Sequence, residues 1–260
     1  MTTLQFDDAA SRRVEAMYTT ADVVEQRRVV RVALGLGPGE SVLDIGVGPG
    51  LLVAEMAAEV GPTGRVCGVD VSDSMLAIAH SRAEVPGGAT VELGPADANH
   101  LPHPDASFDA VVSTQVFEYV DDVPGALNEV RRVLRPGGRV LLLDTDWDSV
   151  VWRSGDDERM ARVLAAFEPH AAHPHLPRSL KGLLERAGFE VAPPRILPMF
   201  NVGYDPATYS AGLLEIIADF VADSGISADE AAAWVADLRA LGPGYFFSLN
   251  RYLFSATSRG

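Results

Sequence analysis

A loop with three alternate glycines, Gly46, Gly48 and Gly50, follows the apolar run 41–45 of this 260-residue chain. Because glycine has no Cβ, a ligand can approach the backbone of such a loop closely. The run before the loop predicts a buried strand, and the helical run that starts at Leu51 would present free N–H groups to a ligand. These residues therefore predict a small-molecule binding loop between a strand and a helix.

The acid Asp44, just before this loop, helps to decide which ligand the loop binds. The dinucleotide fingerprint G-x-G-x-x-G requires a glycine at position 51, where this chain has Leu51. A carboxylate so close to the loop would repel a diphosphate, whereas it would pair with a cationic amine. A dinucleotide-dependent oxidoreductase is therefore disfavoured, and a ligand that carries an amino group is favoured.

The segment VLDIGVGPG at 42–50 resembles the first motif of class I S-adenosylmethionine (SAM)-dependent methyltransferases. Three later segments add to the resemblance: RVCGVD at 65–70, GPADA at 94–98 and LRPGG at 134–138. The chain is most similar to the branch that contains ubiquinone/menaquinone-biosynthesis methyltransferases and many small-molecule enzymes of secondary metabolism. The close resemblance covers about residues 35–146 and implies SAM as cofactor, with S-adenosylhomocysteine as its product.

The resemblance also implies which residues bind the cofactor. Asp44 would lie near the methionine amino group, and Asp70 would accept hydrogen bonds from both ribose hydroxyls. In similar enzymes, the turn after the third strand reads the adenine edge, an N-terminal helix covers the cofactor and the fourth strand ends at the ligand crevice. The predicted set is Asp44, Gly46, Gly48, Gly50, Asp70, Val71, Met75, Asp97, Ala98, Thr114, Gln115, Tyr18 and Arg27. Three members have ordinary alternatives: Met75 as a core residue, Asp97 as a turn former and Arg27 as a solvent-facing charge.

Hydrophobic periodicity predicts an α/β fold in which short apolar strands alternate with helices. With the resemblance, this becomes a Rossmann-like, seven-stranded, mostly parallel sheet whose last strand is antiparallel. Strands are predicted at 41–45, 65–70, 90–93, 108–113, 139–145, 189–199 and 245–257, and helices near 50–60, 73–83, 122–134, 157–169, 177–187, 206–222 and 227–240.

We interpret residues 1–260 as one domain. Two helices within residues 1–35 would cover the cofactor, and 36–199 with 245–260 would form the core. Residues 200–244 would be a helical insertion between the last two strands, and this insertion is a candidate substrate lid.

Composition limits the partners and the location. A net charge of −15 without a basic stripe disfavours nucleic acid. No apolar run approaches the length of about 18 residues that spans a membrane, and the first residues have no signal-peptide core, so we expect a cytoplasmic protein. Cys67 is the only cysteine, which excludes an intrachain disulfide and makes an arsenite methyltransferase improbable. The expected partner is a small-molecule substrate, and the oligomeric state stays open.

No metal is expected. Metal-dependent methyltransferases of the catechol type place acids at the ends of strands four and five, but strand four ends here in Thr114-Gln115. Asp144, Asp146 and Asp148 alternate after strand five, without the glycine and the closing glutamate of a calcium loop. They are interpreted as strand-end and turn acids, and Asp144 and Asp146 are candidates for the acceptor pocket.

Candidate catalytic residues lie in the second half of the chain. His170 and His173, in a cluster with His175, could remove a proton from the acceptor, because histidine titrates near neutral pH. A helix end followed by a polar turn explains the same cluster. Tyr204 and Tyr209, in the proposed lid, would bring hydroxyl groups to an apolar wall, although the apolar stripe of this insertion could simply pack on the core.

The predicted function is direct, in-line transfer of the SAM methyl group to an oxygen, nitrogen or carbon atom of a small molecule. Binding motifs do not prove turnover, so a non-catalytic SAM-binding protein is an alternative. A methyltransferase that acts on a protein is another. The second is weakened because Thr114-Gln-Val-Phe117 stands where amino-methylating enzymes of macromolecules carry an N-P-P-[YF] motif.

Overall fold

The sheet of the computed structural model, which describes residues 8–259, confirms the α/β class and the predicted first five strands. The five strands are β1 (Ser41–Ile45), β2 (Arg65–Asp70), β3 (Thr90–Pro95), β4 (Phe108–Thr114) and β5 (Leu134–Thr145). They are parallel and lie in the order β3-β2-β1-β4-β5. Helices cover both faces of this part of the sheet, which is why the inner strands β1 and β4 are mostly apolar.

An antiparallel strand, β9 (Phe246–Ser258), continues the sheet beyond β5, as expected. The described residues contain nine strands, however, and not seven. The short β6 (Val151–Trp152) was not predicted, and the strand predicted at 189–199 is divided into β7 (Phe189–Val191) and β8 (Arg195–Val202), which both pair with β9. The division falls at Pro193-Pro194, because proline has no N–H to donate to a strand ladder.

Helices are found close to every predicted position. The first pair, α1 (Asp8–Tyr18) and α2 (Ala21–Leu34), precedes β1. The next are α3 (Leu51–Val60), α4 (Asp73–His80), α5 (Val123–Val133), α6 (Asp157–Phe167) and α7 (Pro177–Arg186), and the insertion between β8 and β9 consists of α8 (Tyr209–Ala222) and α9 (Ala228–Ala240). None of the described helices has the length and apolarity needed to cross a membrane.

The carboxyl ends of the parallel strands meet at one edge of the sheet, and helices α1, α2 and α8 lie over that edge. Met17 of α1, Val23 of α2 and Leu213 of α8 belong to one buried cluster together with Phe247 of β9. The helices of the insertion and the N-terminal helices therefore share a core. This arrangement leaves a crevice between the covering helices and the ends of β1 and β4, where the strand order reverses direction.

Gly50 is required by helix packing. It precedes α3 with φ +78°, and an added Cβ would lie 2.8 Å from the Cα of Ala79 in α4. Gly35, after α2, has a similar φ of +60°, but the nearest atom to its added Cβ is 3.9 Å away.

We therefore expect Gly50→Ala to lower the free energy of unfolding by about 2–4 kcal/mol, because backbone strain and overpacking add. The matched variant Gly35→Ala should lose about 1–2 kcal/mol, from strain alone. Urea unfolding of both variants measures the difference. Equal losses would show that contact with α4 contributes nothing.

Candidate functional site

A cavity of about 450 Å³ opens at the carboxyl edge of the sheet, between the strand ends and the covering helices. It brings together residues from distant parts of the sequence. Twelve of the thirteen predicted cofactor residues line it: Tyr18, Arg27, Asp44, Gly46, Gly48, Asp70, Val71, Met75, Asp97, Ala98, Thr114 and Gln115. Gly50 does not line the cavity, and its contact with α4 accounts for it.

The glycine loop is shaped for close approach of a ligand. Gly46 has φ +75°, and a Cβ there would overlap the side chain of Val116. Gly48 has φ +52°, and a Cβ there would meet no atom within 4 Å, so its backbone faces open space. Asp70 fixes the loop, because its Oδ2 accepts a hydrogen bond from Gly48 N at 2.8 Å and its Oδ1 accepts one from Ser72 N at 2.9 Å.

Asp44 is a buried carboxyl group, and one of its two oxygens has no hydrogen-bond partner among the described residues. It is 2% exposed, and its Oδ1 has no hydrogen-bond donor among the described residues. Burial raises the pKa of Asp44 well above its ordinary value, and the neighbouring charge of Asp70 raises it further. An ammonium group in the cavity would supply the missing donor and favour the ionised form. The site therefore fits the amino group of SAM.

The residues predicted to contact the adenine of SAM differ in their exposure and contacts. Val71 is 77% exposed, so it offers an uncovered apolar surface to a ligand. Met75 lines the cavity and is otherwise buried in α4. Asp97 Oδ1 accepts a hydrogen bond from Asn99 N at 2.7 Å, so this aspartate does stabilise its turn, while its neighbour Ala98 also lines the cavity.

Arg27 connects the covering helices to the glycine-loop helix. Its Nη1 donates to Tyr18 O at 2.5 Å, and its Nε donates to Glu55 Oε1 of α3 at 3.0 Å. The residue is 9% exposed, so the alternative of a solvent-facing charge is wrong. Tyr18 and Arg27 close the cavity over the side opposite the strand ends.

Beyond the cofactor residues, the cavity has apolar and aromatic walls. Three of these residues, Tyr209, Leu213 and Ile216, come from α8 of the insertion. Val14, Met17, Val23, Tyr119, Trp147 and Phe167 also belong to these walls, and Gln26 and Gln115 add amide groups. We call the part of the cavity that these residues line the acceptor chamber, because it offers an apolar molecule a place beside the cofactor residues.

The structure places His170 behind this chamber, outside its lining. It is fully buried, its ring stacks on Phe167 at 3.9 Å and packs edge-on against Trp147 at 4.5 Å, and its Nδ1 is 2.8 Å from Phe167 O. Burial lowers the pKa of His170 to about 4. A neutral ring in this position supports the aromatic wall and has no direct path to an acceptor.

The other predicted catalytic residues are also separated from one another. His173 Nε2 is 3.2 Å from Asp121 O, outside the lining of the cavity. Tyr204 accepts a hydrogen bond from Arg239 Nε at 3.1 Å, on the outer side of the insertion. Tyr209 alone of the four predicted catalytic residues lines the cavity, and it is 2% exposed.

Two acids that follow β5 belong to a separate cluster at the surface. Asp146, Asp148 and His175 converge closely enough to hold a metal ion. Arg178 already fills this position with a cation, because it donates to both oxygens of Asp146 at 2.8 and 2.9 Å and to Asp148 at 2.5 Å. Hydrogen bonding from Arg178 lowers the pKa of Asp148. The prediction that the enzyme needs no metal remains to be tested.

Sequence reasoning missed the ionisable groups beneath the chamber. Glu118 and Arg251 are fully buried, as is Asp144, which was predicted to line the acceptor pocket but does not. The available signal was a charged residue inside an apolar and aromatic run, in VFEYV for Glu118 and LNRYLF for Arg251. A charge in such a run requires a partner when it is buried.

Comparisons with known proteins agree with this geometry. A family model described as "Methyltransferase domain" matches residues 43–142. The chain is 37% identical over 197 residues to the "uncharacterized 37.1 kDa protein in transposon TN4556" of Streptomyces fradiae. The aligned region covers 74% of this chain and 55% of that protein. It is 35% identical over 174 residues to the ubiquinone/menaquinone biosynthesis C-methyltransferase UbiE of Teredinibacter turnerae, with 60% and 69% covered.

The chain spans about half the length of the curated relatives that it matches first. Among solved structures, it is similar to phosphoethanolamine N-methyltransferase 2 of Haemonchus contortus in complex with SAM, with a TM-score of 0.64 and 21% identity. That match covers 98% of this chain and 58% of the other, and it shows a shared fold.

The unpartnered oxygen of Asp44 leads to a prediction about ligand binding. Asp44→Asn should weaken SAM binding by about 10- to 100-fold, the loss expected for a hydrogen bond to a charged group. The free energy of unfolding without ligand should not fall, because a buried carboxyl group is removed. Calorimetry with 5′-methylthioadenosine, which lacks the amino-acid part of SAM, is the control and should give equal affinities. An equal loss for both ligands would mean that Asp44 only shapes the loop.

Proposed function

Since this chain belongs to the class I SAM-dependent methyltransferases related to UbiE, with SAM as cofactor, we propose that its acceptor is an apolar small molecule. The methyl group would pass directly to an oxygen, nitrogen or carbon atom of this acceptor. One observation carries the proposal: a single cavity is lined both by the predicted SAM-binding residues and by the apolar and aromatic side chains of the acceptor chamber.

The cavity is lined by acidic as well as apolar residues. The predicted cofactor residues Asp44, Asp70 and Asp97 line it, and so do Asp121 and Asp122. In the acceptor chamber, Tyr119, Trp147 and other aromatic or aliphatic side chains form most of the surface. An anionic acceptor would find no exposed cation there among the described lining residues, since the guanidinium of Arg27 is paired with Glu55. An uncharged, planar acceptor fits these walls, and a quinone-type ring like that implied by the name UbiE is one example.

SAM supplies an electrophilic methyl carbon on a sulfonium. The residues of the chain would contribute mainly by positioning and by excluding water. Alignment of reacting groups can contribute up to about 7–11 kcal/mol, more than a single acid or base provides. Displacement at a sulfonium by a neutral nucleophile disperses charge, and the apolar walls around Trp147 and Phe167 would keep out the water that opposes it.

Polar groups in the acceptor chamber are few, and they would orient the acceptor. Gln115 follows β4, Tyr209 lies at the start of α8 and Gln26 lies in α2, and all three line the cavity. We assign Tyr209 as the residue that contacts the reacting atom of the acceptor. His170 and His173 lie outside the lining, and we give them supporting roles in the wall and its adjoining turn.

We propose that residues 200–244 form the lid of the chamber within one domain that includes the whole chain. Its helix α8 supplies Tyr209, Leu213 and Ile216 to the lining. A chamber roofed in this way suits a small molecule better than a protein side chain or a nucleic acid. The net charge of −15 supports the same choice, and we propose a cytoplasmic location.

Turnover with methyl-labelled SAM tests the proposal. The pure protein is incubated with a panel of planar phenols, quinols and aromatic amines, and in parallel with a lysate of small metabolites, protein and RNA. Label in a small molecule is expected. Label that enters only protein or RNA would contradict the acceptor class, and tight SAM binding without any transfer would favour a non-catalytic SAM-binding protein.

The role of Tyr209 gives a second, sharper test. Tyr209→Phe should lower turnover about tenfold at unchanged SAM affinity, because one hydrogen bond to the acceptor is lost while the ring remains. Tyr204→Phe is the matched control, since its hydroxyl contacts Arg239 outside the cavity, and its acceptor kinetics should equal those of the wild type. A Tyr209→Phe enzyme that loses only thermal stability would make this tyrosine structural.

A further inference from the structure

Glu118, Asp144 and Arg251, which we call the buried trio, lie beneath the acceptor chamber without lining it. Their exposed fractions are 0%, 1% and 0%. The described residues thus place two acids and one cation in a region withdrawn from water. Groups of this kind are costly to bury, so their contacts indicate what they do.

The two acids join the ends of β4 and β5. Asp144 Oδ1 accepts a hydrogen bond from Glu118 N at 3.3 Å, and it also faces the N–H groups of Val116 and Phe117. In return, Glu118 Oε2 accepts a hydrogen bond from Thr145 N at 3.0 Å. The carboxyl group of Asp144, in β5, therefore binds backbone N–H groups that follow β4, and the carboxyl group of Glu118, after β4, binds a backbone N–H group at the end of β5.

Gln115 lies between these contacts. It has φ +58°, a conformation that is strained for a residue with a side chain, and its N donates to Leu143 O at 2.6 Å. Its Nε2 donates to Thr145 Oγ1 at 3.3 Å. Because Thr145 is fixed through its own N–H by Glu118, the position of the Gln115 amide in the chamber depends on the two acids.

Arg251 contacts the other two polar groups of the chamber. Its Nη1 donates to Gln26 Oε1, and its guanidinium lies 4.4 Å from the centre of the Tyr209 ring. Its Nε and Nη2 have no partner among the described residues. The buried trio thus reaches Gln26, Gln115 and Tyr209, the polar groups that we expect to orient the acceptor.

The charges of the trio do not balance if both acids are ionised. Glu118 Oε1 and Asp144 Oδ2 are buried without a hydrogen-bond partner among the described residues, and Arg251 is the cation whose charge acts on Glu118. Burial, and then the charge of Asp144, raise the pKa of Glu118 to about 8, while burial raises the pKa of Asp144 to about 7. The other polar rings near Glu118 are those of Tyr18, Tyr119, Trp147 and Tyr209. Burial raises the pKa of the three tyrosines, so their hydroxyl groups stay neutral.

We propose that the buried trio is a positioning unit, in which a proton kept on the Glu118–Asp144 pair holds Gln115 in place for the acceptor. This inference rests on the proposed function, because it assigns Gln115 to the acceptor. When pH rises and the pair loses this proton, two adjacent carboxylates repel each other. The strand ends then separate locally and the Gln115 amide leaves its place, whereas Asp44 and the glycine loop keep their positions.

Nuclear magnetic resonance tests the proposal without any acceptor. The chain has only three glutamines, so the Gln115 side-chain amide of ¹⁵N-labelled, SAM-bound protein can be identified by its loss in Gln115→Ala. In the wild type, this signal should shift between about pH 6 and pH 9, with a midpoint in the range of the pair. Glu118→Gln keeps an acceptor for Thr145 N but removes the charge, and its Gln115 signal should not titrate.

Infrared spectroscopy of SAM-bound Asp44→Asn protein, in which the other buried carboxyl group with a raised pKa is removed, provides the independent measurement if Glu118→Gln does not fold. A carbonyl band of a protonated carboxylic acid should be present near neutral pH and should disappear over the same pH range. Absence of this band, or a Gln115 signal that ignores pH in the wild type, would overturn the proposal. Glu92→Gln, which removes an exposed partner of Arg65 at the opposite edge of the sheet, is the control and should titrate like the wild type.

Kinetics separate this inference from the proposed function. With a methylated acceptor in hand, wild-type kcat/KM should fall about tenfold per pH unit above the midpoint, and Glu118→Gln should remove this fall at unchanged SAM affinity. If the pH profiles of the wild type and Glu118→Gln were parallel, the positioning role of the buried trio would be overturned. The proposed methyltransferase function would be unaffected. The Gln115 signal could instead titrate as expected in a protein that methylates no acceptor. This result would support the protonated pair, and it would overturn the proposed function and the acceptor role of Gln115.

Discussion

Negative charge gathers at the carboxyl edge of the sheet, and the arrangement of the site follows from how this charge is compensated. Asp44 and Asp70 lie at the ends of β1 and β2, Glu118 follows β4, and Asp144 lies near the end of β5. All four are at least partly withdrawn from water, where an unpaired carboxylate costs several kcal/mol. In our proposal, the ammonium group of SAM compensates Asp44, whereas Arg251 and a proton compensate the Glu118–Asp144 pair. One cavity can therefore bind both a cation and an uncharged acceptor.

The SAM-binding part of the site could be predicted from sequence because each of its elements is local. A strand, a glycine loop and a helix N-terminus are contiguous between Ser41 and Leu51, and their spacing alone determines how the backbone meets a ligand. Of the predicted cofactor residues, Gly50 alone does not line the cavity, and its lack of a side chain is explained by its contact with α4. Close packing of two helices and close approach of a ligand both require glycine. The sequence therefore cannot distinguish these two roles.

The acceptor part of the site could not be predicted in the same way, because its residues meet only through long-range pairing. Arg251 lies opposite Thr145 in the β5–β9 register, which brings it beneath the chamber, and no local pattern reveals that pairing. His170 illustrates the reverse case. It has the polarity of a surface turn, yet stacking on Phe167 buries it outside the lining of the cavity. The division of strand 189–199 was foreseeable, since Pro193 and Pro194 leave two consecutive residues without an N–H, whereas the single Pro198 is accommodated within β8.

Strand β9 has a consequence for how the protein reaches its folded state. It pairs with β5, β6, β7 and β8, all of which precede it in the chain, and it carries Arg251 into the buried trio. The strands that carry SAM-binding residues, β1, β2 and β4, can associate without it, whereas the chamber acquires its floor only when β9 is in register. Such contacts between distant segments close slowly because of their loop-closure entropy. We therefore expect the SAM-binding part of the site to form before the acceptor chamber, whose floor depends on β9.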